Sequence, residues 1–284
     1  MAIVIQTVVG SRYDDIYYPH ISGTAQSYNF YPVAHMTPSD GFAVMAVGLG
    51  QYVLDGERAF RFSPSFPDLD IVPIMDISRF SQVEFFAINM AKSDVDLLQG
   101  QHAGMVKLKI SRAESDGTIQ HSASVLSIDD DTLVPGLYAS GPRVINFADI
   151  LKYDYIPLAP TLKKVLEVFR EAFGAPVEIE FAVDLTKDED DMATFYLLQV
   201  KPLVGSGAGY SVDPDSVYDE HTLLVSKKSM GNGLLADITD VVYVEPGHFS
   251  KMATVEMAEE IDAINRIMLR SEERRVGKEC RSRW

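Results

Sequence analysis

The chain has 284 residues, a formal net charge of −16, 46% apolar and 23% charged residues. That is an ordinary globular composition, with room for one large domain or two modest ones. It excludes a membrane-spanning helix, because no apolar run is long enough, and a surface this acidic argues against non-specific nucleic-acid binding.

Taken in chain order, "AIVIQTVV" (Ala2–Val9) is β-branched and predicts a buried strand. "HISGTAQSYNF" (His20–Phe30) predicts a second. "FAVMAV" predicts a strand that leads through the glycine turn "GLGQYVLDG" and a short helical or irregular piece to the strand "ERAFRFSP". "SPSFPDLDIVP" is proline-rich and predicts a loop. "GMVKLKIS" and "SASVLSI" predict strands separated by the turn-rich "RAESDGTIQH". "IDDDTLVPG" predicts a loop, and "GPRVINFADIL" contains another short strand.

"APTLKKVLEVFREAFG" is the clearest helix, with Leu162, Val165, Leu166, Phe169 and Phe173 at helical spacing. Thr161 is the expected cap of its start and Gly174 of its end. "VEIEFAVDLTKDEDDMATFYLLQVKP" (Val177–Pro202) follows as two strands joined by an acidic loop. "YSVDPDSVYDE" is a polar connector, "DITDVVYV" a strand and "SKMATVEMAEEIDAINRIML" a helix. Strands in runs with one dominant helix indicate α+β rather than regular βαβ alternation.

The end of the chain is different. "RSEERRVGKECRSRW" (Arg270–Trp284) has no hydrophobic period, and it resembles the translation of a short sequencing adapter, so it is left out of the fold expectation. It carries six Lys/Arg against three Glu, so without it the formal charge moves from −16 to −19. It also holds Cys280 and Trp284, the only cysteine and tryptophan. The remainder has no disulfide, thiol nucleophile or cysteine-based metal site, which fits a reducing cytoplasm.

The hairpin carries the chemistry. Side chains alternate across a strand, so Val177, Ile179, Phe181 and Val183 share one face, and Glu178, Glu180, Ala182 and Asp184 the other. In the second strand Tyr196, Leu198 and Val200 share one face, and Phe195, Leu197, Gln199 and Lys201 the other. Matching the apolar faces puts Glu180 opposite Gln199, Ile179 opposite Val200, Phe181 opposite Leu198 and Glu178 opposite Lys201. Two readings fit this register. One is a solvated polar face with a single cross-strand ion pair. The other is a carboxylate and an amide oxygen, Glu180 and Gln199, holding a hydrated Mg²⁺ beside a phosphate-binding ammonium, Lys201, with Glu178 as a solvated neighbour.

"PVEIEFAVDL…FYLLQVKP" resembles the end of the nucleotide-binding ATP-grasp domain of phosphoenolpyruvate synthases and pyruvate phosphate dikinases, where D/E-I-E-[FW]-A precedes L-Q-x-R-P. "SGTAQSYNFYP" (Ser22–Pro32) is similar to that family's S-G-[VT]-A-x-[ST] strand, and "AVGLGQYVLDG" (Ala46–Gly56) to its G-L-G-E-x-V-V-x-G segment. Three segments in the same order cover roughly the first 200 residues.

The resemblance implies the C-terminal half of an ATP-grasp domain, mostly antiparallel sheet with a long covering helix. It would span residues 1–206, with 207–269 a connector and the start of the following region, and 270–284 an artefactual tail. It implies ATP and Mg²⁺ as cofactors. Glu180 and Gln199 stand at the metal- and phosphate-binding pair. Lys201 stands where an arginine usually contacts the phosphates. Ser22 and Gly23 stand on the strand beside the nucleotide, and Gly48 and Gly50 in the glycine turn.

It further implies a fragment, inactive alone, of a cytoplasmic phosphotransferase that moves a phosphoryl group from ATP to a carrier histidine and then to pyruvate. The missing domains would be its partners, and neither nucleic acid nor membrane is expected. None of the six histidines, His20, His35, His102, His121, His221 and His248, sits in a carrier motif. Each is expected at the surface or in packing.

Gln26 and Gln51 depart from residues common in the family, and Lys201 replaces arginine, losing its bidentate fork. These departures motivate the alternative of a nucleotide-binding or regulatory module without transfer chemistry. An ATP-grasp ligase joining a carboxylate to an amine is a third reading.

Overall fold

The computed structural model describes residues 6–203 apart from 31, 70–73, 93, 96 and 128–131, and beyond them 221–223, 241, 243, 260, 261, 263 and 264. The expected helix near the end is met at 260, 261, 263 and 264, which are helical. The polar connector, nearly all of the "DITDVVYV" strand and the tail Arg270–Trp284 lie outside the described residues. Two compact units divide the chain, 1–232 and 233–284, and the sheets belong to the first.

In chain order the strands are β1 (Ser11–Tyr13), β2 (Ile16–Tyr18), β3 (Ile21–Gln26), β4 (Phe42–Ala46), β5 (Phe60–Phe62), β6 (Glu84–Asn89), β7 (Met105–Lys109), β8 (Ala123–Ser127), β9 (Thr132–Pro135), β10 (Arg143–Ile145), β11 (Val177–Asp184) and β12 (Thr194–Pro202). The α-helices are α1 (Gln51–Leu54), α2 (Ile74–Phe80), α3 (Ile110–Ser115), α4 (Ala148–Leu151) and α5 (Leu158–Phe173). Among the described residues three sheets form, in the orders β12-β11-β3-β4-β5, β1-β2-β6-β7 and β10-β8-β9. Every strand pairing in them is antiparallel. The α+β class read from the sequence holds.

The five-stranded sheet is organised by the alternation of β11. Val177, Ile179, Phe181 and Val183 are all buried, and they join one core cluster with Leu158, Leu162 and Leu166 of α5. Removing these apolar side chains from water contributes roughly 1.5–3 kcal/mol each. Helix α5 touches β11 and β3. It begins earlier than its sequence suggests. Thr161 is not the cap: its N–H and hydroxyl both donate to the Pro157 carbonyl, at 3.1 and 2.6 Å, from inside the first turn. Pro160 fits there because the first turn leaves N–H groups unpaired in any helix. Gly174 does end it, at φ 64°.

The hairpin register holds at Glu178–Lys201, Ile179–Val200 and Glu180–Gln199, then shifts. Phe181 pairs with Leu197, not Leu198, because a bulge interrupts the ladder after Glu180. One extra residue reverses the alternation beyond it. Phe195, expected on the polar face, therefore stacks on Phe181 at 5.6 Å and packs against the core, while Tyr196 is exposed. The displaced Leu198 carbonyl accepts a hydrogen bond from Gln6 Nε2 at 3.1 Å.

Other expectations are corrected too. Residues 6–9 of the expected strand Ala2–Val9 are not a strand, and residues 2–5 lie outside the described residues. The turn-rich stretch after β7 opens with α3, whose Ile110 and Ala113 are buried three residues apart. The expected loop "IDDDTLVPG" contributes β9. Strand β6, "EFFAIN", has no period because both its faces are covered: Phe85 lies in the large core cluster and Phe86 in a second one with Ala46, Leu49, Tyr52 and Val53.

Gly23 lets Phe181 into the core. A Cβ at Gly23 would sit 2.4 Å from the Val44 carbonyl oxygen and 2.7 Å from the Phe181 ring. Gly23→Ala is therefore expected to lower stability by about 2 kcal/mol or more, read as a shift of the urea midpoint.

Candidate functional site

Strand β11 lies between β12 and β3, so its residues from Glu178 to Val183 face two partners. Gln26, Glu178 and Lys201 form one row across the three strands, and Thr24, Glu180 and Gln199 the next. Both rows lie on the face away from the α5 core, by the alternation that buries Ile179 and Phe181.

The first row is closely bonded. Lys201 Nζ lies 2.6 Å from Glu178 Oε1 and 3.7 Å from Glu180 Oε1. Gln26 Nε2 donates to Glu178 Oε2. Glu178 is thus held from both neighbouring strands. Its side chain is 15% exposed against 23% for Glu180, so it is an engaged member of the site and not the solvated neighbour expected from the sequence. The hydrogen bond to Glu178 is the largest influence on Lys201, outweighs partial burial and raises its pKa. Lys201 therefore stays an ammonium throughout the physiological range.

The second row is open. Among the described residues Glu180 has only the 3.7 Å contact with Lys201, and the exposed Gln199 side chain has no hydrogen-bond partner. Their oxygens are free to accept. No group of three or more His, Cys, Asp or Glu gathers as a metal site among the described residues. One carboxylate and one amide oxygen suit a cation that keeps most of its sphere for water and ligand oxygens, as Mg²⁺ does.

The other expected site residues are distributed around this face. Ser22 lies further along it, opposite Ala182, and is buried. Gly50 lies against Ser22: a Cβ there would come 3.6 Å from the Ser22 Cβ. Helix α1, which starts after Gly50, touches β3 and β4. Gly48 takes φ +88°, and a Cβ there would meet the Phe86 carbonyl at 2.7 Å, so it is held against β6. Gly23 faces the opposite side, towards Phe181. The structure thus brings Glu180, Gln199 and Lys201 together, sets Ser22 and Gly50 further along, and gives Gly23 and Gly48 close packing contacts.

Sequence reasoning missed Gln26 as a partner of Glu178. Only the pairing of β3 with β11, 152 residues apart, could reveal it. Two histidines take the packing role expected of them, each beside a carboxylate. His20 Nδ1 lies 3.0 Å from Asp184 Oδ1, and His121 Nδ1 2.5 Å from Asp149 Oδ2. Burial nevertheless lowers the His20 pKa.

Residues 1–221 match the family described as pyruvate phosphate dikinase, AMP/ATP-binding domain. No curated protein matches the chain. No helix among the described residues is long and apolar enough to cross a membrane.

The bond between Lys201 and Glu178 has a direct readout. Glu178→Gln is expected to lower the Lys201 pKa towards its ordinary 10.5, followed by NMR titration of the Lys201 side chain. An unchanged titration would show that Glu178 does not hold the ammonium.

Proposed function

The chain belongs to the pyruvate phosphate dikinase AMP/ATP-binding domain family, and from that premise we propose that the β11–β12 polar face binds the phosphates of ATP through Mg²⁺, within an ATP-grasp domain. The observation that carries the reading is the placement of Glu180 opposite Gln199 with Lys201 on the same face. Glu180 and Gln199 would hold the metal. Lys201 would meet a phosphate oxygen as a point charge. Ser22 and Gly50 would form the nucleotide's side of the domain, residues 1–206, with Gly23 and Gly48 packing the strand and turn that carry them and 207–269 a connector.

Charge supports the metal. Two carboxylates and one ammonium leave this face net negative, within a chain of net charge −16. A polyphosphate would be repelled unless a divalent cation came with it. Bound Mg²⁺ supplies charge neutralisation and a fixed phosphate geometry. The chain's own part is positioning, the main contribution in phosphoryl transfer. In the parent protein the phosphoryl group would pass to a carrier histidine and then to pyruvate, as in an enzyme of the phosphoenolpyruvate synthase type. The 2.6 Å bond of Lys201 to Glu178 favours a second reading, a nucleotide-binding module in which that ammonium is already neutralised.

The test uses the full-length parent. Glu180→Ala is expected to weaken Mg²⁺-dependent ATP binding by about tenfold or more, with thermal unfolding unchanged. Wild-type affinity in that variant would sink the metal-site reading. Retained ATP binding without phosphoryl transfer in the unaltered parent would favour the second reading.

A further inference from the structure

On the other side of the same sheet, a cleft opens between α5 and the segments that follow β3 and β5. Its helical wall is the stripe Lys163, Leu166, Glu167 and Arg170, spaced as one face of a helix. Facing it are Ser27, Ser39, Asp40 and Ser65.

The charges in this cleft are unevenly satisfied. Asp40 is turned into its own turn, where Oδ2 accepts from the Thr37 N–H at 2.7 Å and the Thr37 hydroxyl at 2.8 Å. Glu167 is bonded by Lys164 at 3.1 Å. Lys163 and Arg170 make no hydrogen bond and no ion pair among the described residues. Ser27 is 7% exposed, and its Oγ accepts the Val177 N–H at 2.9 Å. Its own hydroxyl hydrogen has no acceptor among the described residues. Ser39 Oγ lies 2.9 Å from Thr37 Oγ1, whose hydrogen goes to Asp40, and Ser65 Oγ donates to the Asp40 carbonyl at 3.5 Å, so the donors left over are Lys163, Arg170 and the Ser27 hydroxyl.

We infer that this cleft binds a tetrahedral oxyanion, the phosphate group of a small molecule, at a site separate from the β11–β12 polar face. The Ser27 hydroxyl, the Lys163 ammonium and the Arg170 guanidinium are its free donors, and Ser39 and Ser65, each bonded within its own wall, close the facing side. Such a set suits an anion with several acceptor oxygens better than a planar carboxylate with two. Lys163 and Arg170 supply the charge that a phosphate needs in so acidic a protein. The site does not depend on the metal reading. Ser27 also clamps the start of β11, its N–H donating to the Val177 carbonyl at 2.9 Å beside the Gln26–Glu178 row.

The experiment titrates the ¹⁵N-labelled chain with inorganic phosphate at constant ionic strength, with chloride as control. Saturable amide shifts are expected at Ser39, Gly41 and Ser65, with phosphate and not with chloride. The double variant Lys163→Ala, Arg170→Ala is expected to weaken binding by about tenfold or more. Both side chains are exposed, so the fold should survive. Ser65→Asp, which places a carboxylate in the cleft, is expected to abolish binding by a second route. Glu180→Gln is expected to leave it unchanged. The inference is overturned by the absence of saturable shifts, or by equal affinity in the double variant and Ser65→Asp. Shifts that centre on Thr24 and Gln199 and vanish in Glu180→Gln would also overturn it, because the phosphate would then occupy the polar face.

Discussion

The structure depends on one strand having two unlike faces. Strand β11 buries Val177, Ile179, Phe181 and Val183 in the α5 core, and the same alternation forces Glu178 and Glu180 out on the other side. Because β11 is paired on both edges, neither carboxylate can turn away from its neighbours. Each must meet a residue of β3 and one of β12. A one-residue slip would drive both carboxylates into the core, where an unpaired charge costs several kcal/mol by order of magnitude. The apolar face therefore sets the register of the polar face.

Packing around that strand is close on both sides. Gly23 is a glycine because Phe181 and the Val44 carbonyl leave no room for a Cβ. At the other end of the polar face, Gly48 meets β6, and Val47 exchanges two hydrogen bonds with the Gln82 side chain, both at 2.9 Å. Strand β6 in turn divides two apolar clusters. The turn carrying Gly48 and Gly50 is thus seated by contacts outside its own sheet, and Ser22 is closed over by it. What stays open is the end with Gln26, Glu178, Glu180, Gln199 and Lys201, where partly buried and exposed polar side chains meet solvent.

Much of this was readable in the sequence wherever a period was intact. The hairpin gave itself away by two alternating faces, and matching them placed Glu180 opposite Gln199 and Glu178 opposite Lys201. The match failed at Leu198, because a bulge adds a residue without a compositional signal. Strand β6 is not legible in the sequence because burial on both faces removes the alternation that marks a strand. The start of α5 was misplaced because Thr161 has the side chain of a cap, while Pro160 disguises a turn that is already helical. In the sequence alone Gln26 is no more than a departure from a family pattern. Its bond to Glu178 exists only once β3 lies beside β11, and no local pattern encodes that.

The Lys201–Glu178 bond bears on how a polar face can be both well ordered and able to bind. A half-exposed ion pair of this kind contributes roughly 0–1 kcal/mol, so it orients the ammonium without holding it firmly. Gln26 occupies the second oxygen of Glu178, which leaves Lys201 one oxygen rather than a bidentate grip. A phosphate carrying more charge than a carboxylate, and offering several oxygens, can compete for that ammonium. Arginine in place of Lys201 would reach Glu178 with a planar fork and bind it more firmly in the absence of ligand. Lysine gives a weaker hold on either partner, and it leaves Glu180, 3.7 Å away, without a direct hydrogen bond to the ammonium. The distances separate the two carboxylates: Glu178 orients the ammonium at 2.6 Å, and Glu180, at 3.7 Å, has no other polar contact among the described residues.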